Sequence, residues 1–272
     1  MDDRVAFWRR WDAMEARLTR PVSERMLDLA GVGAGMRVLD VAAGRGEPAI
    51  PAARRVGAGG SVLAIESTEG FLEIARERAR AERVTNVTWR VGDAESFNLT
   101  GPLFHAATVR WALMYMGAPE RALSCVHRAL APGGALVTAS WAEAERVAFM
   151  SLPRRILARH RDVPPYPDGP GIFRDADRAT FDAMLERKGF SVEASEEMEI
   201  AVVEAPDARG VMTWIVELGG PLMTLVREMP PAVQRAWQDE VCAVIERTRD
   251  GETVRLTGVT RLTLARAARA GA

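Results

Sequence analysis

The chain is poor in the residues that build metal centres and covalent cross-links. Two of its 272 residues are cysteines, Cys125 and Cys242. They are too far apart for a CxxC knuckle and too few for a disulfide framework, so buried thiols are expected. Its three histidines, His105, His127 and His160, fall in no HxxxH or HExxH spacing, and no metal site is expected. Like charges form no long block and the formal net charge is −1, which leaves no electrostatic footprint for nucleic acid or an anionic membrane. The opening "MDDRVAFWRRWDAMEARL" is acidic at its start and charged every few residues, unlike a signal peptide or a spanning helix. The expectation is a cytoplasmic monomer or homodimer, without membrane insertion, whose partner is a small molecule.

What is present is ordinary for a soluble domain: 48% apolar and 27% charged residues, enough to bury an α/β core. The segments "MRVLDVA", "GSVLAIE" and "VTWRVGD" are short, apolar and β-branched. Between the second and third, "GFLEIARERARAERV" has helical period, with Phe71, Ile74 and Ala75 on its apolar side. Strand alternating with helix predicts a parallel sheet. A fourth strand is expected at "HAATVRWAL", a helix at "PERALSCVHRAL" stopped by "APGG", and a fifth strand at "ALVTASW". Beyond Trp141 come helical pieces and a proline-rich loop, then a helix in "DADRATFDAMLERKGF" with Asp N-cap and terminal Gly. The alternating "SVEASEEMEIAVV" and "VRLTGVTRLTLAR" read as two last strands flanking a second helical insertion. The expected organisation is an N-terminal helical lid (1–34), a core (35–142), a cap insertion (143–175), a core helix and strand (176–203), a second cap insertion (204–252) and a final strand (253–272).

The chemistry centres on "VLDVAAGRGEPA", Val38 to Ala49. Its G-x-G-x-x-A satisfies the dinucleotide fingerprint, so a nicotinamide-dependent oxidoreductase is one reading. Asp40, however, precedes the glycines where a pyrophosphate would bring its own negative charge, and like charges at that range repel. A cationic ligand, such as the ammonium and sulfonium of S-adenosylmethionine, suits it better. Glu66 closes the second strand, where a carboxylate can accept both hydroxyls of an adenine ribose, a feature shared by both cofactors. In "GDAESFNL", Asp93 is placed to accept an adenine amino group and the Ala94 amide to bond a ring nitrogen, which favours the methionine nucleoside.

These residues resemble the class I S-adenosylmethionine-dependent methyltransferases, in particular their ubiquinone/menaquinone-biosynthesis-like branch. The resemblance runs through "VLDVAAGRGEP", "VLAIESTEGFLEIARERA", "VGDAES", "RWALMYM" and "HRALAPGGALVTASW". It implies a doubly wound seven-stranded sheet of order 3-2-1-4-5-7-6 with strand seven antiparallel, under a helical cap. It implies that Asp40, Ala42, Gly44 and Gly46 hold the methionine part, Glu66 the ribose, and Asp93 with Ala94 the adenine, with Ser67 a further cofactor-binding candidate. Ala42 stands where the family has its first loop glycine, and His105 where strand four often begins with Asp.

Further candidates are weighed on placement. Arg110 and Trp111 end strand four, where open α/β sheets bind ligands: Arg110 to hold an acidic group on cofactor or substrate, Trp111 to wall the transfer site. Trp8 and Trp11 are three apart on the first helix and placed to shield a sulfonium by cation–π contact, ordinary helix packing being the competing reading. Tyr115, Met116 and Trp141 are pocket candidates, and Trp214 and Glu217 belong to a Met- and Trp-bearing insertion that suits a hydrophobic acceptor. His160 is the one histidine placed to act as a general base. The reading is in-line methyl transfer to O, N or C of a small, apolar or aromatic, natural-product-like acceptor. Its rivals are a member of the fold that keeps the nucleoside only structurally, as a cyclase or binding protein, and the oxidoreductase.

Overall fold

A computed structural model describes residues 3–101 and 103–268. In chain order the elements are α1 (Asp3–Leu29), β1 (Arg37–Val41), α2 (Ala49–Val56), β2 (Ser61–Glu66), α3 (Glu69–Ala81), β3 (Val87–Val91), β4 (Phe104–Arg110), α4 (Pro119–Ala129), β5 (Leu130–Trp141), α5 (Ala148–Leu157), α6 (Arg178–Arg187), β6 (Phe190–Ala205), α7 (Ala208–Leu218), α8 (Gly220–Arg227), α9 (Pro231–Glu246) and β7 (Val254–Ala267). The strands form one sheet of order β3-β2-β1-β4-β5-β7-β6. β1 pairs in parallel with β2 on one side and β4 on the other, while β7 runs antiparallel to β5. The expected doubly wound architecture is the one observed.

The central strand explains its own position. Val38, Leu39, Asp40 and Val41 are all buried, as a strand covered on both faces requires. Strand order reverses between β1 and β4, and the C-terminal ends of strands at such a switch point are where open α/β sheets bind their ligands. Beneath it Leu39, Val41, Ile65 and Val109 of the sheet pack with Leu123 and Val126 of α4 and Phe181 and Leu185 of α6. Each such side chain contributes about 1.5–3 kcal/mol.

Three local expectations are adjusted. On α3 the buried residues are Leu72, Ile74, Ala75 and Ala79, while Phe71 is only half-buried; the stripe that persists along the whole helix is 72/75/79, and Phe71 sits at its margin. β4 stops at Arg110, because Trp111 takes a left-handed φ of 50° and Leu113–Tyr115 coil into a 3-10 turn. The "APGG" segment does not separate α4 from β5 but lies within β5. The register steps from Phe104↔Leu130 to Ala106↔Ala135, so Ala131–Gly134 bulge out. Gly134 is required there: a Cβ would stand 2.8 Å from the Ala131 carbonyl oxygen.

By internal contacts the chain divides into two units. One comprises the described parts of Arg20–Trp141, Asp168–Met198 and Thr260–Ala272; the other, those of Met1–Thr19, Ala142–Pro167 and Glu199–Val259. The second is mostly helical, with a core that includes the fully buried Trp237, whose indole donates to the Pro153 carbonyl at 3.0 Å. Among the described residues, no helix is long and apolar enough to cross a membrane.

Candidate cofactor and acceptor site

At the C-terminal end of β1, Asp40 is 1% exposed. It lies in register with Thr108 of β4, and the Thr108 hydroxyl donates to its Oδ1 at 2.8 Å. The Ala49 amide at the start of α2 adds a second donor, and Arg110 a favourable charge. Burial outweighs all three and pushes the carboxyl pKa up to about 7. Its Oδ2 is buried without a partner among the described residues. A carboxylate kept so dry, with one oxygen unsatisfied, is matched to a ligand that brings positive charge.

The turn that follows is held open. Ala42 and Gly44 take φ of 56° and 52°, and Gly46 takes 96°. Space lies in front of Gly44, where a Cβ would meet nothing within 4 Å. Gly46 faces inward instead: a Cβ there would meet Ile50 Cδ1 at 2.8 Å and Trp89 at 3.3 Å. Ala42 thus adopts a left-handed backbone that a glycine would take without strain. Glu66 ties the turn to β2: its Oε2 accepts from the Gly44 amide at 3.0 Å, and Oε1 from the Thr68 amide at 2.9 Å and the Ser67 hydroxyl at 3.1 Å. Three of roughly four lone-pair sites are thus occupied. Asp93 is exposed and caps its own turn, accepting from the Glu95 amide at 2.9 Å and the Ser96 hydroxyl at 3.2 Å, next to the buried Ala94.

Beyond β4 the side chains stack. The Arg110 guanidinium lies 4.6 Å from the centre of the Trp111 ring, and Trp111 stacks on Trp141 at 4.8 Å with planes 8° apart. The Trp111 indole donates to Thr260 Oγ1 at 2.8 Å, and Thr260 in turn to the Ser140 carbonyl at 2.9 Å. Arg174 grips the next turn, donating to the carbonyls of Leu113 and Met116. Tyr115 on that turn is 55% exposed, yet surrounding protein desolvates its phenol and pushes the pKa up to about 12. The phenol is thereby kept in its neutral form.

In the helical unit, Trp11 and Glu217 meet each other. The Trp11 indole donates to Glu217 Oε2 at 2.8 Å while Arg10 holds Oε1 at 2.5 Å. Trp214 is 1% exposed and packs against Phe7 and Phe149, with no partner for its indole nitrogen among the described residues. Trp8 packs edge-on against Phe7 at 4.8 Å. His160 Nε2 lies 3.0 Å from Glu240 Oε1. The other histidines are structural: His105 Nδ1 accepts the Arg37 amide at the opposite end of β1, and His127 Nε2 bonds the Gly189 carbonyl at 3.1 Å. Sequence patterning missed Thr108, Glu47, Arg78 and Arg174; a carboxylate directly after the G-x-G was the one visible signal among them.

The chemistry of the buried, under-satisfied Asp40, the open Gly44 and the Glu66 tie fits S-adenosylmethionine, and the sheet order is that of methyltransferase-fold neighbours. A family model described as a methyltransferase domain matches residues 38–134. The ubiquinone/menaquinone biosynthesis C-methyltransferase of Idiomarina loihiensis is 27% identical over 191 residues, which is 66% of this chain and 76% of that protein. Among solved structures, a candidate methyltransferase of Bacillus halodurans C-125 matches at TM-score 0.60 and 20% identity, covering 90% of this chain and 98% of that one. The [4+2]-cyclase SpnF matches at TM-score 0.56 and 21% identity, over 92% and 80% respectively. Residues 38–134 thus form a methyltransferase domain, the chain is similar to the ubiquinone/menaquinone-biosynthesis C-methyltransferases, and its cofactor is S-adenosylmethionine.

Proposed function

We propose that the chain methylates a small apolar or aromatic acceptor, with Asp40, Ala42, Gly44 and Gly46 holding the methionine part, Glu66 and Ser67 the ribose, and Asp93 and Ala94 the adenine. The observation that carries this reading is the fully buried Asp40 with an unsatisfied oxygen directly before the glycine turn. When bound, S-adenosylmethionine supplies an electrophilic methyl on a good leaving group. The protein's share is then binding, alignment and exclusion of water. Arg110, beside Asp40 and over Trp111, orients an acceptor that reacts through an anionic enol or phenol, for which no general base is required. His160, engaged by Glu240, is given no step. Carbon is favoured as the acceptor atom because the curated relatives are C-methyltransferases. The matched family segment ends at residue 134, so the acceptor's identity rests on residues beyond it, among them the helical unit.

The likeness to SpnF supports a second reading, in which the fold keeps the nucleoside without transferring its methyl. Incubation with methyl-labelled S-adenosylmethionine and a panel of phenols, quinols and amines separates the two. Label in the product with matching S-adenosylhomocysteine supports methyl transfer; an unlabelled rearranged product with the cofactor intact refutes it. Saturable NAD(P) binding beside a flat S-adenosylmethionine titration would overturn both.

A further inference from the structure

The glycine turn is held from behind by an ion-pair cluster that neither glycine nor Asp40 belongs to. From α3, one arm of the Arg78 guanidinium donates to the Arg45 carbonyl at 2.9 Å and another to Glu47 Oε1 at 2.8 Å. The residues on both sides of Gly46 thus hang on one planar group. Arg20 of α1 reaches the same Glu47 oxygen at 3.2 Å. Glu82, at the end of α3, lies 3.9 Å from both guanidinium groups and pairs with Arg54 of α2. Glu47 is 4% exposed and the Arg78 side chain 12%, and Glu47 Oε2 is buried without a partner among the described residues. An ion pair this dry is costly to form and costlier to halve, because removing one member leaves the other charge buried and uncompensated.

We propose that Arg78 and Glu47 form a positioning pair for the cofactor turn, fixing the backbone on either side of Gly46 and setting the charge that Asp40 faces. The inference rests on the reading of Asp40 as the residue that meets the cationic end of S-adenosylmethionine. Asp40 is faced by Thr108 and Arg110 from β4, by the Ala49 amide of α2 and by Glu47 from the turn; Arg110 favours its ionised form and Glu47 opposes it. Arg78 and Arg20 offset the Glu47 charge. Without Arg78 that charge is less compensated, Asp40 holds its proton to higher pH, and the turn loses a fork that a point charge cannot replace.

The test is calorimetric titration of the full chain with S-adenosylmethionine and with S-adenosylhomocysteine across the neutral pH range. Arg78→Met is expected to weaken both by about tenfold and to raise the pH midpoint of binding by about half a unit to one unit. Arg78→Lys should return the midpoint without restoring the affinity, and Glu47→Gln added to Arg78→Met should bring the midpoint back down. Wild-type affinity and midpoint in Arg78→Met overturn the proposal, as does a loss of affinity that tracks a lower melting temperature with the midpoint unmoved. Asp40→Asn separates the two levels. Wild-type binding by Asp40→Asn sinks the cofactor reading; weak binding there with unaltered Arg78→Met sinks the positioning pair alone.

Discussion

Replacing Asp40 by Asn should make the ligand-free protein more stable at alkaline pH while weakening its hold on S-adenosylmethionine. The folded state keeps the Asp40 proton up to about pH 7, whereas an unfolded Asp releases it near pH 3.9. Between those values the folded chain binds more protons, so stability falls as pH rises, by about 1.4 kcal/mol per unit, and levels off above about 7. The full cost of ionising Asp40 in its dry site is therefore about 4 kcal/mol. Asn never ionises and keeps the acceptor for Thr108 and Ala49, but it places an amide nitrogen where Oδ2 has no partner, which costs about 1–3 kcal/mol. Net stabilisation of about 1–3 kcal/mol is expected at about pH 8, shrinking and then reversing towards about pH 5.

Urea denaturation of both proteins at several pH values reads this directly, because titrations common to the two cancel in the difference. A difference that stays constant within about 1 kcal/mol over that range would refute the argument, since Asp40 would then ionise as an ordinary carboxyl. Binding should move the opposite way. A cationic ligand meets the ionised form, so wild-type affinity climbs with pH by up to about tenfold per unit below the Asp40 pKa. Asp40→Asn should lose both that slope and about tenfold or more of affinity at alkaline pH, the usual worth of a hydrogen bond to a charged group. The ligand's own ammonium, with a pKa near 8, titrates in both proteins and drops out.

Ala42→Gly relieves a left-handed alanine at φ 56° and should stabilise the fold by about 0.5–1 kcal/mol in the same urea assay, with cofactor affinity kept or improved. Gly46→Ala drives a methyl to 2.8 Å from Ile50 Cδ1 at a positive φ; it should cost about 1–3 kcal/mol and weaken S-adenosylhomocysteine binding in calorimetry, by shifting the turn and the start of α2. Trp237→Phe removes the indole that satisfies the Pro153 carbonyl in a fully buried site, so a loss of about 1–3 kcal/mol should appear in the unfolding of the helical unit.

The residues proposed to hold the cofactor could be named from the sequence because they stand in consecutive stretches. A carboxylate at a strand end, a turn with glycines at positive φ and a second carboxylate closing the next strand are local patterns, and each keeps its role wherever the helices pack. Thr108 was not legible, because a threonine inside "AATVR" reads as β-branched strand filler until the register with Asp40 is known. Arg78 looked like one more charge on a solvated helix face. Its burial follows from Glu47 and the Arg45 carbonyl, which lie some thirty positions away in the chain.

The acceptor half shows the converse. Trp11, Trp214 and Glu217 were singled out for their chemistry, and the polar groups of Trp11 and Glu217 meet each other within the chain, while the Trp214 indole nitrogen has no partner among the described residues. Glu217 is engaged by Trp11 and Arg10, and Trp214 by Phe7 and Phe149. Large aromatics and carboxylates on helices satisfy one another first, because an unpaired buried polar group costs more than a pair gains. Specificity for a small molecule is then left to side chains whose partners are incomplete. By that criterion Asp40 in the sheet unit, with an open oxygen in a dry site, and Trp214 in the helical unit, whose buried indole nitrogen has no partner among the described residues, stand apart from the fully engaged Glu217. An unsatisfied group in a rigid setting is the mark of a site, and residue type alone does not carry it.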